Sequence, residues 1–106
     1  MTTQISIIDD NDSLLTSLSL QFQIQGYSTI TFDCPQKALE YHAKKPADAY
    51  IIDMRMPKLT GFQFYKRLCE TQKTDRLPAI YLTGVDNIEE QALKNTTIGD
   101  FILKPY

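Results

Sequence analysis

The sequence predicts an α/β fold in which a parallel sheet carries helices on both faces. Three observations point there. Short apolar runs alternate strictly with helical patterns in the order (βα)₄β, and such alternation joins parallel strands through helical crossovers. The run Ala49-Tyr50-Ile51-Ile52 is continuously apolar, as befits a central strand buried on both sides. The chain has 106 residues, 42% of them hydrophobic, which suits one domain around one core. Right-handed crossovers then leave very few topologies.

Each element has its own local reason. "QISIID" (Gln4–Asp9) is a β-branched run and so a strand. Asp12 or Ser13 is expected to cap the first helix, whose Leu14, Leu15, Leu18 and Phe22 share one face and which Gly26 stops. "YSTITF" (Tyr27–Phe32) alternates like a strand. Asp33-Cys34-Pro35 starts the second helix with proline in its first turn, and Ala38, Leu39 and His42 fall on one side. After the third strand, Ala49–Asp53, Thr60-Gly61 opens a helix with Phe62, Tyr65, Leu68 and Cys69 along a stripe. "PAIYLT" (Pro78–Thr83) is the fourth strand, its proline tolerable at the first position. Asp86 and Glu89 resemble a capping box for a fourth helix reaching about Lys94. "DFIL" (Asp100–Leu103) is the fifth strand, ended by Lys104-Pro105.

Composition excludes several classes of function. No run approaches the roughly 18 apolar residues that span a bilayer. "MTTQISIID" lacks a basic segment followed by an apolar one, so no secretory signal is expected and the chain reads as cytoplasmic. Cys34 and Cys69 stand apart with no CxxC and no histidine pair, which suits small packing residues in a reducing compartment. A net charge of −2 offers no footprint for nucleic acid, so DNA binding would need another domain. His42 has no evident acidic or hydroxyl partner and reads as a surface-edge residue rather than a phosphodonor. The tyrosines at 27, 41, 50, 65 and 81 suit packing and mark no base-stacking platform.

In open parallel sheets, ligands bind beyond the carboxyl ends of the strands, where strand order reverses. The last residue of each strand is therefore informative. The first ends in Asp9-Asp10, the third in Asp53, the fourth in Thr83, and the fifth is followed by Lys104. A carboxylate at the tip of an apolar strand is costly to desolvate, and Asp53 is expected to be tolerated in a solvated polar cluster. Three clustered acids repel one another unless a cation intervenes. Lys104 supplies one charge, and an all-oxygen donor set suits Mg²⁺ for the remainder. An anionic Asp53 beside Mg²⁺, Lys104 and the Thr83 hydroxyl can accept a phosphoryl group without a general base. Taken singly, Asp9-Asp10 serves equally well as a helix cap, and a lone strand-end Asp is weak. The joint pattern carries the weight.

These residues resemble the receiver domain of bacterial two-component response regulators. The resemblance rests on Asp9-Asp10, on "DMRMPKLTG" with Pro57 four and Gly61 eight residues after Asp53, on Thr83-Gly84, and on Phe101 three residues before Lys104-Pro105. It covers nearly the whole chain. It implies a flavodoxin-like, doubly wound five-stranded sheet of order 2-1-3-4-5. It implies that Asp53 is the phosphoacceptor, served by a sensor histidine kinase or a phosphotransfer protein. Asp10 would bind Mg²⁺ directly and Asp9 mostly through water, with Asp53 and the Arg55 backbone carbonyl completing the protein ligands. Lys104 would hold a phosphoryl oxygen. Thr83 and Phe101 match a switch pair that remodels the face formed by the fourth helix and fifth strand for a partner or output domain, or for a homodimer. Without the match, Phe101 reads as an ordinary core residue.

The chain departs from the family pattern in three places. Thr97-Ile98 stands where Gly-Ala is usual. Arg55 is large and cationic, and its side chain is expected to lean over the site and change the phosphoryl lifetime. Autodephosphorylation of Arg55→Ala measures that effect, and unchanged kinetics would remove the idea. The family continues after Lys-Pro with a fifth helix, so residues 1–106 are expected to be a receiver lacking that helix and any effector, with apolar sheet surface left uncovered. Two rivals remain at this point. One is a receiver-like interaction module that works without phosphorylation. The other is a metal-dependent phosphatase or mutase, which is disfavoured because Arg55 occupies the place of its second acid.

Overall fold

Side chains along a strand alternate between the two faces of a sheet, so each apolar run here feeds two cores. Ile5, Ile7, Ile51 and Leu82 pack with Leu15 and Leu18 on one face. Ile8, Tyr50, Ile52 and Tyr81 pack on the other with Ala38, Leu39, Phe64 and Leu68. The elements that supply them, in the computed structural model, are β1 (Gln4–Ile8), α1 (Asp12–Ile24), β2 (Ser28–Phe32), α2 (Pro35–His42), β3 (Ala49–Asp53), α3 (Gly61–Thr71), β4 (Ala79–Thr83) and β5 (Phe101–Leu103). The structure describes residues 3–54, 56, 58–74, 76–83 and 101–103, with backbone alone for 83 and 101–103. The expected fourth helix lies outside them.

All pairings are parallel, in the order β2-β1-β3-β4-β5. This is the doubly wound arrangement expected, with β3 central as its apolar run requires. The order reverses between β1 and β3, which places the ligand-binding crevice at their carboxyl ends.

Local details differ from the sequence reading in instructive ways. The cap of α1 is Asn11, not Asp12 or Ser13: its backbone is extended and its side chain accepts from the Leu14 amide at 3.2 Å. In α3 the buried residues are Gly61, Phe64, Tyr65, Leu68 and Cys69, with Phe62 only partly covered. Thr60 and Gln63 form a capping box at its start, each accepting from the other's backbone amide. Neither cysteine forms a disulfide, Cys69 being buried and Cys34 half-buried. His42 is not a surface-edge residue, since its ring is fully buried and Ser6 is its hydroxyl partner. The reason is helical phase: with Ala38 and Leu39 it lies on the stripe that α2 turns to the sheet.

One side of the sheet retains an open apolar cavity of about 560 Å³, lined by Ile5, Phe22, Ile51, Leu77 and Ile80 among others. On the opposite face the Tyr81 hydroxyl is buried without a hydrogen-bond partner among the described residues. Burial and the neighbouring Tyr65 push its ionisation well above the ordinary phenol range.

Candidate functional site: an acidic cluster at the strand tips

Two chain reversals, after β1 and after β3, shape the site. At the end of β1, the Asp9 amide donates to the Phe32 carbonyl at 3.1 Å, extending the strand by one residue. The Asp9 carboxylate accepts from the Asn11 amide at 2.9 Å, bending the chain into α1. Asp9 and Asn11 are thereby committed to the turn, and Asp10 between them faces solvent.

At the end of β3, Asp53 is level with Leu82 of β4, and the Met54 amide donates to the Leu82 carbonyl at 2.9 Å. The chain then loops through Lys58, whose φ of 71° is left-handed, and returns so that the Gly61 amide donates to the Met54 carbonyl at 3.0 Å. The first turn of α3 therefore rests directly against the tip of β3. A Cβ on Gly61 would lie 2.7 Å from the Asp53 carbonyl oxygen and 3.0 Å from the Met54 Cα. The Met54 Sδ would also lie 3.0 Å away, but the closest obstruction is backbone, and glycine is present for close approach.

Carboxylate oxygens of Asp9, Asp10 and Asp53 all fall within 4.8 Å of one another. Asp9 is 0% and Asp53 3% exposed, so the expected solvated cluster is only partly so. The first turn of α3 seats against the tip of β3 beside Asp53, and of the three acids Asp10 alone opens to water. At such a separation two like charges repel by roughly 3 kcal/mol at an effective dielectric near 20. Three hard oxygen donors converging on one point, two of them sheltered, form a cradle for a hard divalent cation. The chemistry of the donor set fits Mg²⁺.

The remaining candidates are placed less completely. Thr83 closes β4, one residue beyond the level of Asp53 on the adjacent strand. Phe101 opens β5 level with Tyr81, and Leu103 is level with Thr83. Arg55 and Lys104 lie outside the described residues. A groove of about 350 Å³ opens beside Asp10, with Asp33, Cys34, Lys58 and Arg67 among its walls. Sequence reasoning missed Lys58, Arg67, Asn11 and the steric role of Gly61. For Gly61 a signal existed, since glycine at the first position of a capped helix has no propensity rationale.

A parallel α/β sheet bearing an acid triad at its switch point defines the class of receiver-type signalling domains. The chain belongs to the response regulator receiver domain family, whose match spans residues 5–106. It is 34% identical to the response regulator GtcR of Aneurinibacillus migulanus over 108 residues, covering 100% of this chain and 43% of GtcR. It thus spans under half the length of the curated relatives it matches. Vibrio cholerae chemotaxis protein CheY4 superposes with a TM-score of 0.88 at 26% identity, covering 100% of this chain and 89% of that one. The receiver domain of sensor histidine kinase PA1611 from Pseudomonas aeruginosa, solved with magnesium in its active site cleft, gives a TM-score of 0.84 at 22% identity. That alignment covers 100% of this chain and 88% of the neighbour.

Proposed function

We propose that this domain is a phosphoacceptor switch that takes a phosphoryl group on Asp53 from a phosphohistidine of a sensor kinase or phosphotransfer protein. A carboxylate oxygen of Asp53 forms the new P–O bond as the P–N bond breaks, and the donor imidazole leaves with the electron pair. The observation that carries this reading is the convergence of Asp9, Asp10 and Asp53 within 4.8 Å at the switch point of the sheet. Mg²⁺, held by Asp9, Asp10, Asp53 and the Arg55 carbonyl, would neutralise charge on the transferring group. In its carboxylate form Asp53 would attack without a general base. Lys104 would pair with a phosphoryl oxygen, and the Thr83 hydroxyl would donate to another.

The phosphorylated aspartate adds charge and strong acceptors beside the tip of β4. Thr83 and Phe101 then act as the bistable pair that remodels the face of β5 and the expected fourth helix. The readout is a partner or an attached output domain, which the greater length of the curated relatives supports. The domain acts as a signalling component rather than a turnover enzyme, and it acts in the cytoplasm. Among the described residues no helix is long and apolar enough to cross a membrane.

The test is incubation of the wild-type chain with acetyl phosphate, with intact mass recorded with and without Mg²⁺. One phosphoryl group should be gained with the metal and none when it is chelated. A folded protein that never gains mass would instead favour the phosphorylation-independent interaction module.

A further inference from the structure

The side chain of His42 is buried in a part of the core that the acidic site does not use. Its ring is 0% exposed, as is Ser6 in the middle of β1. Its Nδ1 lies 2.8 Å from the Lys45 carbonyl oxygen and its Nε2 lies 2.7 Å from the Ser6 hydroxyl. A carbonyl oxygen only accepts, so Nδ1 carries the hydrogen. In the neutral ring Nε2 is then a bare acceptor, and Ser6 must donate to it. Both contacts are satisfied by one tautomer of the neutral imidazole.

No carboxylate appears among the hydrogen-bond and ring contacts of His42 to balance a charge on its ring. The rings of Phe32 on β2, Tyr50 on β3 and Tyr41 on α2 form T-shaped contacts with it at 5.4, 5.1 and 5.1 Å between centroids. The titratable groups facing it are the Tyr41 and Tyr50 phenols, and none of these hydrogen-bond or ring contacts involves a carboxylate. Protonated Nε2 would have to donate to Ser6, stripping the hydroxyl hydrogen of its acceptor. Burial lowers the imidazole below its ordinary value of 6.5, while the Lys45 carbonyl opposes this more weakly.

We propose that His42 is an acid-released latch holding α2 to the centre of the sheet while its ring is neutral. Helix α2 depends on such an anchor. It has eight residues and no side-chain hydrogen bond at its N-cap, a length at which an isolated helix is marginal. Its docking rests on Pro35, Ala38, Leu39 and His42. Losing the latch makes α2 the first unit to open. Because Cys34 and Pro35 also wall the groove beside Asp10, opening α2 reshapes the approach to the acidic site.

The direction with pH is fixed by linkage. The folded form holds the proton less tightly than the unfolded chain, so the stabilisation is complete above pH 6.5. It is lost progressively as pH falls from there through the folded value. The folding constant can fall by at most about tenfold per pH unit in that window.

His42 is the only histidine in the chain, so its ring gives one titrating NMR signal. Between about pH 5 and 7.5, the ring should titrate below 6.5, and α2 amides should lose exchange protection faster than α1 amides after correction for intrinsic exchange. In His42→Gln, a neutral residue that still donates and accepts, that excess loss should vanish. A ring titrating at or above 6.5, α2 and α1 weakening together, or the same excess loss in the variant would each overturn the latch. If the variant does not fold, the wild-type ring titration and the α2–α1 comparison decide.

Discussion

Asp53→Asn will take up no phosphoryl group from acetyl phosphate and Mg²⁺, under conditions in which the wild type gains one. Asparagine preserves shape and most hydrogen bonding, yet it removes the anionic oxygen that must form the P–O bond. It also takes one of three charges from the cation cradle, because the carboxylates of Asp9, Asp10 and Asp53 lie within 4.8 Å. Mg²⁺ affinity should therefore fall as well. Intact mass reads the first effect and isothermal titration the second. Equal uptake in wild type and variant would move the acceptor to another residue.

Gly61→Ala should destabilise the domain by about 1–3 kcal/mol, the usual range for forcing extra volume into a packed interior. Helix propensity alone favours alanine over glycine by about 1 kcal/mol, so the expected sign is contrary to that rule. The clash decides it. The new methyl would sit 2.7 Å from the Asp53 carbonyl oxygen and 3.0 Å from the Met54 Cα, backbone atoms that no rotamer change moves. Either α3 shifts away or the tip of β3 does, and the second displaces Asp53, the proposed acceptor. Urea unfolding measures the stability loss, and the initial rate of phosphoryl uptake should drop with it. An alanine variant as stable and as reactive as wild type would show that the approach of α3 to β3 is not tight in solution.

Much of this architecture was readable before any coordinates. Short β-branched, alternating or continuously apolar runs bounded by Gly, Pro and Asp mark the strands, and strict alternation of strand and helix patterns dictates a parallel sheet. The rule that sites form at strand carboxyl ends brought Asp9, Asp10 and Asp53 together, and they do converge. The misses share a cause. Asn11, rather than Asp12 or Ser13, caps α1 because Asp9 bends the chain one residue earlier. Asp53 was expected in a solvated cluster and is 3% exposed, because α3 returns across the tip of β3. His42 was placed at a surface edge, yet Ser6, 36 residues earlier, holds it in the core.

The order of elements, the parallel sheet and the acids that meet at its carboxyl edge follow from the chain alone, because periodicity and turn chemistry act over a few neighbouring residues. Burial of Asp9 and Asp53, the need for glycine at position 61 and the partnership of His42 with Ser6 arise only on folding. They depend on strand register and on how closely each helix seats against the sheet. Those distances are set jointly by side chains far apart in sequence, and no local pattern carries them.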